Sequence, residues 1–193
     1  MTDYRPYHGS SEWVTLTDEE IDYAQRVGLE MRKLSLRNKH RDYRAEMNKE
    51  FSEKQAQKNQ ALGEVADLAS RKFFGFSMKL VTENYKKADL PHNIEVRLIG
   101  EDRYGLRVYK KDDASRRVVG VVIPPGKERG PYRIAGWIIA ADAIQDCWEM
   151  APYGGRPMYP VPQEHLRPMS ELKGLISGPI EAEKKIYAQY ELF

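Results

Sequence analysis

The sequence predicts a mixed α+β or α/β fold, in which helices come first along the chain and strands follow. Up to residue 74, apolar residues recur every three or four positions, which is typical of helices with one buried face. Between residues 77 and 140, five short runs are rich in β-branched and aromatic residues, as strands are. Together these patterns predict a central mixed sheet of about five strands, flanked by helices.

Two helices are predicted in the first part of the chain, over residues 18–35 and 59–74. Thr17 and Glu20 have the spacing of a capping box, in which each side chain accepts a hydrogen bond from the backbone of the other. Gly75 follows the second helix at the position of a C-terminal cap. The intervening residues 36–58 are charged and poor in apolar side chains, which is compatible with a helix or with a basic loop.

The predicted strands and the remaining elements complete the fold. The strands are Ser77–Thr82, Asn93–Ile99, Tyr104–Lys110, Arg117–Ile123 and Tyr132–Ala140. Residues 150–162 contain Pro, Gly and Tyr and are predicted to be irregular, residues 163–167 to form a short helical turn, and residues 179–191 a final helix. We therefore divide the chain into an N-terminal arm with a basic helical segment (1–58), a core (59–170) and a C-terminal helical tail (171–193), packed as one domain.

Composition excludes several classes of protein. The chain has 193 residues, of which 41% are hydrophobic, enough to form a core. No run approaches the roughly 18 apolar residues of a membrane span. Cys147 is the single cysteine, which rules out an internal disulfide and a cysteine-rich zinc site. We expect a soluble protein of the cytoplasm with no membrane partner.

Positive charge is concentrated in the middle of the sequence, although the net charge is only +2. Residues 71–133 contain fifteen basic and eight acidic residues, a net charge of +7, and residues 26–58 have a net charge of +5. Such a distribution favours a polyanionic partner such as nucleic acid, although it also occurs on ordinary solvated surfaces. The candidates for phosphate contacts are Arg71, Lys72, Arg103, Arg107 and Arg116.

Acidic and basic side chains converge around the second predicted strand. Asp89 precedes that strand, and Glu95 and Arg97 lie two residues apart within it, which directs both to the same face. Carboxylate oxygens suit Mg²⁺, and a cation beside them can bind a phosphate or stabilise developing negative charge. The pattern therefore favours a divalent-cation site that acts on a phosphodiester. The alternative is a purely structural role, in which Glu95 and Arg97 pair with neighbours on a half-exposed sheet face.

The segment Asp89-x5-Glu95-Val96-Arg97 resembles the motif of PD-(D/E)xK nucleases, with Arg97 at the position of the usual lysine. Glu64, in Gly63-Glu64-Val65-Ala66, resembles the acid that a preceding helix often supplies in that superfamily. Together with three later segments, 104–109, 132–138 and 161–168, the chain resembles small phage-encoded proteins of this nuclease type.

This resemblance implies a restriction-endonuclease-like fold and a metal-dependent nuclease. Glu64, Asp89 and Glu95 would bind Mg²⁺ or Mn²⁺, and Arg97 would act electrostatically, since arginine is a poor general base. DNA is the favoured substrate, a homodimer is possible, and the location would be the host cytoplasm if a phage encodes the protein. A second hypothesis is a catalytically inactive protein on the same scaffold that binds nucleic acid or another partner.

Overall fold

The computed structural model describes residues 12–37, 53–80, 88–151 and 157–177. The strands in chain order are β1 (Glu12–Val14), β2 (Ile94–Ile99), β3 (Leu106–Tyr109), β4 (Arg117–Val122), β5 (Tyr132–Ile139) and β6 (Met158–Val161). The helices are α1 (Asp18–Arg37), α2 (Glu53–Phe74), α3 (Ala140–Ala143) and α4 (Met169–Ser177), with short 3-10 turns at Asp146–Trp148 and Gln163–His165.

Helices α1 and α2 form an antiparallel pair at the start of the fold. The predicted capping box of α1 is confirmed: Glu20 N donates to Thr17 Oγ1 (3.2 Å), and Thr17 N donates to the Glu20 carboxylate (2.7 Å). The two helices approach so closely at Gly28 that a Cβ added there would lie 2.7 Å from Ala61 Cα. At the end of α2, Gly75 has a φ of 72°, which confirms the predicted glycine cap.

The predicted central mixed sheet is confirmed, but among the described residues it has four strands, in the order β1-β5-β4-β2, where about five were predicted. Strands β2 and β4 pair in parallel, whereas β4–β5 and β5–β1 are antiparallel. One face packs against the helices through Ile94, Val119 and Val121, which belong to the same core as side chains of α1 and α2. The opposite face, with Ile99 and Val118, packs against side chains of β3 and β6.

Three strand predictions need correction. The predicted strand 104–110 forms β3, which pairs with β6 in a separate two-stranded sheet. β6 lies where irregular structure is predicted. It can contain Pro160, which has no backbone N–H to donate, because each strand of a two-stranded sheet has one edge that faces no partner strand. Residues 77–80 of the predicted strand 77–82 are not in a strand, because side chains satisfy their backbone: Ser77 O accepts from Arg71, and Leu80 N donates to Tyr23 Oη.

Other predictions agree with the structure or lie beyond the described residues. The second helix begins earlier than predicted, at Glu53, and the helical turn near 163–167 is present as a 3-10 turn. The final helix predicted over 179–191 and residues 38–52 of the basic segment lie outside the described residues. Within the described residues, no helix has the length and apolar character needed to cross a membrane.

Candidate functional site

Asp89 and Glu95 are joined by a tight turn that leads into β2. Leu90 N donates to Ile94 O (3.0 Å), and Val96 N donates to Asp89 Oδ2 (2.8 Å), so the Asp89 carboxylate is fixed to the strand. The turn residues His92 and Asn93 have φ values of 60° and 53°, a conformation that few residues other than glycine adopt. The turn thus brings the two acids of the sequence motif to the same end of β2.

Helix α2 contributes two buried acids to this end of the sheet. Glu64 is 9% exposed, and Asp67, one turn further on, is 8% exposed. Asp67 was not among the predicted site residues, although its spacing of three residues from Glu64 places both acids on one helix face. The sequence signal that could have found it is this Glu64-x-x-Asp67 pair within residues 61–69, whose other members are apolar residues or glycine.

Arg71 connects the helix to the turn. Its Nε donates to Asp67 Oδ1 (3.1 Å), and its two terminal nitrogens donate to the backbone oxygens of Ser77 and Asp89. Only 6% of Arg71 is exposed. The residue was predicted to contact phosphate, and the structure places it instead as a buried link between α2 and the backbone of Asp89.

Burial and neighbouring charges raise the pKa of the two helix acids. Burial raises the pKa of Glu64 to about 7, and the Asp89 carboxylate adds to this effect. Burial also raises the pKa of Asp67 to about 7; Arg71 opposes the increase, while Glu64 and Glu95 add to it. Glu64, Asp67, Asp89 and Glu95, which we call the acid cluster, therefore interact across the boundary between helix and strand.

Asp89 differs from the two helix acids in its contact with solvent. The residue is exposed, yet the protein around its carboxyl group raises the pKa of Asp89 to about 7, with Glu95 as the next cause. Solvent screens charges at an exposed position more strongly than at a buried one. The charges of Glu64 and Asp67, which are both buried, are therefore screened less than that of Asp89.

Glu95 and Arg97 lie on the other face of β2 from α2. Ile94, Val96 and Leu98 contact the core beneath the helices, so the alternating residues 95 and 97 face the side where β3 lies. The Glu95 carboxylate lies between two arginines: Arg116 Nη1 is 3.2 Å from Oε2, and Arg97 Nη2 is 3.5 Å from Oε1. The Glu95 carboxylate thus repels those of Asp67 and Asp89, but it is paired with two arginines on its own face of the sheet.

The predicted phosphate contacts are largely engaged in ion pairs. Besides Arg71 and Arg116, Lys72 Nζ is 2.7 Å from Glu20 Oε2, and Arg103 Nε is 2.8 Å from Glu101 Oε2. For Arg107, the structure shows its backbone oxygen accepting a hydrogen bond from Arg97 (2.7 Å). A phosphate at any of the four paired positions would compete with a carboxylate that is already in place.

The acid cluster has the composition of a hard-cation site, but its geometry is open. In the described ranges, no three His, Cys, Asp or Glu side chains are grouped so that they could hold a metal ion. Glu64, Asp67 and Asp89 are close enough to other acids of the cluster for their pKa to be raised, which is a longer-range effect than ligation. The arrangement can exchange protons near neutral pH and would be stabilised by any cation that approaches it.

Comparisons with known proteins add no relative. No family model, no curated protein and no solved structure matches this chain.

Proposed function

We propose that this protein is a divalent-metal-dependent nuclease that hydrolyses phosphodiester bonds, with DNA as the favoured substrate, on a restriction-endonuclease-like core. The observation that carries the proposal is the acid cluster, in which burial and neighbouring acids raise the pKa of Glu64, Asp67 and Asp89. Burial of Glu64 beside Asp89 disfavours the ionised form of Glu64, and a bound cation would remove that cost. The resemblance of Asp89-x5-Glu95-Val96-Arg97 to the nuclease motif supports the same conclusion.

The donor set fits Mg²⁺ or Mn²⁺ in its chemistry. Glu64, Asp67, Asp89 and Glu95 offer only carboxylate oxygens, the ligands that these hard cations prefer. Glu64, Asp89 and Glu95 are the proposed ligands. Asp67, which the sequence motif does not contain, is a fourth carboxylate in the donor set. When bound, such an ion lowers the pKa of a coordinated water and offsets charge on the scissile phosphate.

The residues of the chain have separate tasks in this proposal. Glu64, which is buried on α2, would hold the cation or orient the water that the cation binds. Asp89 is fixed by the Val96 amide and so holds its oxygens in one place. Arg71 fixes Asp67 and the backbone of Asp89 relative to each other, which keeps helix and turn in register.

Cleavage assays on purified protein test the proposal. Labelled single- and double-stranded DNA and RNA are incubated with Mg²⁺, with Mn²⁺ and with chelator, and products are resolved by size. We expect metal-dependent cutting that Glu64→Gln and Asp89→Asn abolish. Glu19→Gln is the matched control, since Glu19 is an exposed glutamate of α1 and not a member of the cluster.

A second function is favoured by a different observation. Glu95 is paired with Arg97 and Arg116, and Asp67 with Arg71, so part of the cluster is neutralised within the protein. This favours a catalytically inactive protein that binds nucleic acid or another partner on the same scaffold. If the wild-type protein binds DNA in a salt-dependent way but cuts no substrate with either metal, this second function replaces the first.

A further inference from the structure

Arg97 is held by a set of contacts that the sequence motif does not contain. Asp112, which follows β3, binds the guanidinium with both oxygens: Nη1 is 2.9 Å from Oδ2 and Nη2 is 2.9 Å from Oδ1. Arg97 Nη1 also donates to Arg107 O (2.7 Å), and the Tyr109 ring lies 4.9 Å from the guanidinium carbon. We call Asp112, the Arg107 carbonyl and the Tyr109 ring the Arg97 clamp.

The clamp and Glu95 together accept hydrogen bonds from most of the terminal N–H groups of Arg97. A guanidinium has five N–H donors in a rigid fork, four of them on the two terminal nitrogens. Arg107 O, Asp112 Oδ1 and Glu95 Oε1 (3.5 Å) accept from three of those four, and Asp112 Oδ2 lies 2.9 Å from Nη1 as an ion-pair contact. Arg97 is therefore oriented toward Glu95 and has little capacity left to bind a phosphate.

Asp112 is itself fixed on its turn. Its Oδ2 accepts from Tyr109 N (2.8 Å), and its own backbone N donates to Tyr109 O (2.9 Å). Its side chain is 5% exposed, and that of Arg97 is 15% exposed, so solvent screens the ion pair weakly. Because the Asp112 carboxylate is held by its own turn, it can restrain the position of the arginine that it binds.

We infer that Asp112 is a positioning residue: it fixes the Arg97 guanidinium, which in turn fixes the Glu95 carboxylate at the edge of the acid cluster. In this assignment, Arg97 acts through Glu95 and does not contact the substrate. The consequence for catalysis rests on the proposed nuclease function, whereas the positioning of Arg97 and Glu95 is a property of the chain alone.

Asp112→Asn tests the inference, and Asp113→Asn is the matched control. The asparagine keeps an oxygen for the Tyr109 amide but loses the charge and one of the two contacts to Arg97. Asp113 is the adjacent aspartate, is exposed, and accepts hydrogen bonds from Ser115. Both changes are isosteric and remove one negative charge, so a difference between them reports position and not net charge.

Nuclear magnetic resonance gives a readout that does not depend on activity. In the wild-type protein, the Hη protons of Arg97 should give separate signals, because the clamp prevents rotation of the guanidinium. In Asp112→Asn these signals should average, and the carboxyl carbon of Glu95 should shift; in Asp113→Asn neither should change. Averaged Arg97 signals in the wild-type protein overturn the inference even if the variant fails to fold, and an unmoved Glu95 signal in a folded Asp112→Asn overturns it as well.

Kinetics separate this inference from the proposed function. If the wild-type protein cuts nucleic acid, Asp112→Asn should lower kcat by about 10- to 100-fold, the range for residues that orient a ligand, with little change in KM. An unchanged kcat in an active protein overturns the assignment of Asp112. If the wild-type protein cuts no substrate, the nuclease proposal fails, and the resonance experiment still decides whether Asp112 positions Arg97 and Glu95.

Discussion

Neutralising Glu64 should stabilise the metal-free protein at alkaline pH. The folded state raises the pKa of Glu64 from 4.5 to about 7, mainly by burial. Between these values the folded protein binds more protons than the unfolded chain, so the free energy of unfolding falls as the pH rises. At about 1.4 kcal/mol for each pH unit, ionisation of Glu64 costs the fold roughly 3 kcal/mol at pH 8 and under about 1 kcal/mol at pH 5.

Glu64→Gln removes this cost without removing the side chain, and its carbonyl oxygen can still accept the hydrogen bond that Gln60 donates to Glu64 Oε1 (3.1 Å). In chelator, the variant should therefore be more stable than the wild-type protein by roughly 3 kcal/mol at pH 8, which corresponds to a Tm higher by about 6–12 °C for a chain of this size. At pH 5 the two proteins should nearly coincide. Urea unfolding at both pH values measures the difference.

Glu19→Gln is the control, since it removes an exposed acid of the neighbouring helix. It should change stability by only a few tenths of a kcal/mol at either pH. If Glu64→Gln gives the same pH profile as the wild-type protein, Glu64 is not a buried ionised group, and the electrostatic argument for the acid cluster is refuted.

Three further predictions follow from named contacts. Mg²⁺ at about 100 times its Kd should raise the free energy of unfolding by about 2.7 kcal/mol, measured by thermal shift, and Asp89→Asn should remove the increase; an equal shift in both proteins would contradict a site at Asp89. Arg97→Lys should cost about 2 kcal/mol in urea unfolding, because lysine cannot bind both oxygens of Asp112; unchanged stability would mean that the clamp does not form. Gly28→Ala should cost about 1–3 kcal/mol, since the added Cβ would lie 2.7 Å from Ala61 Cα and must push the helices apart; a neutral or stabilising effect would show that the helix pair is looser than described.

Local patterns were enough to predict α1 and the C-terminal part of α2, but not α4 (Met169–Ser177) or the start of α2 at Glu53. The α1 capping box and the Gly75 cap depend on residues within one or two turns, and both are present in the structure. The central mixed sheet was also predicted, because alternating and β-branched runs report burial directly. Strand membership was not, since it depends on partners far along the chain: the predicted strand at 104–110 has the expected composition but pairs with β6, outside the central sheet.

The candidate site was only partly visible in the sequence for the same reason. Asp89 and Glu95 are six residues apart, so both could be found as parts of one local motif. Asp67 looked like one charged residue among many, because its proximity to Glu64 matters only when α2 packs on the sheet. Asp112, fifteen residues from Arg97, gave no signal at all, since its role depends on the way β3 lies against β2.

The position of the acid cluster at the end of an edge strand explains how its two halves can act together. The alternation of side chains along β2 places Glu95 on the face of the sheet opposite to α2, which carries Glu64 and Asp67. In the middle of a sheet, the backbone would separate these acids completely. In the described part of the chain, β2 is the last strand of the sheet, and Asp89 occupies its outer side by binding the Val96 amide. Asp89 therefore interacts with acids on both faces: Asp89 raises the pKa of Glu64 on one face, and Glu95, on the other face, raises the pKa of Asp89. A cation or a phosphodiester that acts on both halves must approach at this edge, beside Asp89, where solvent already reaches the cluster.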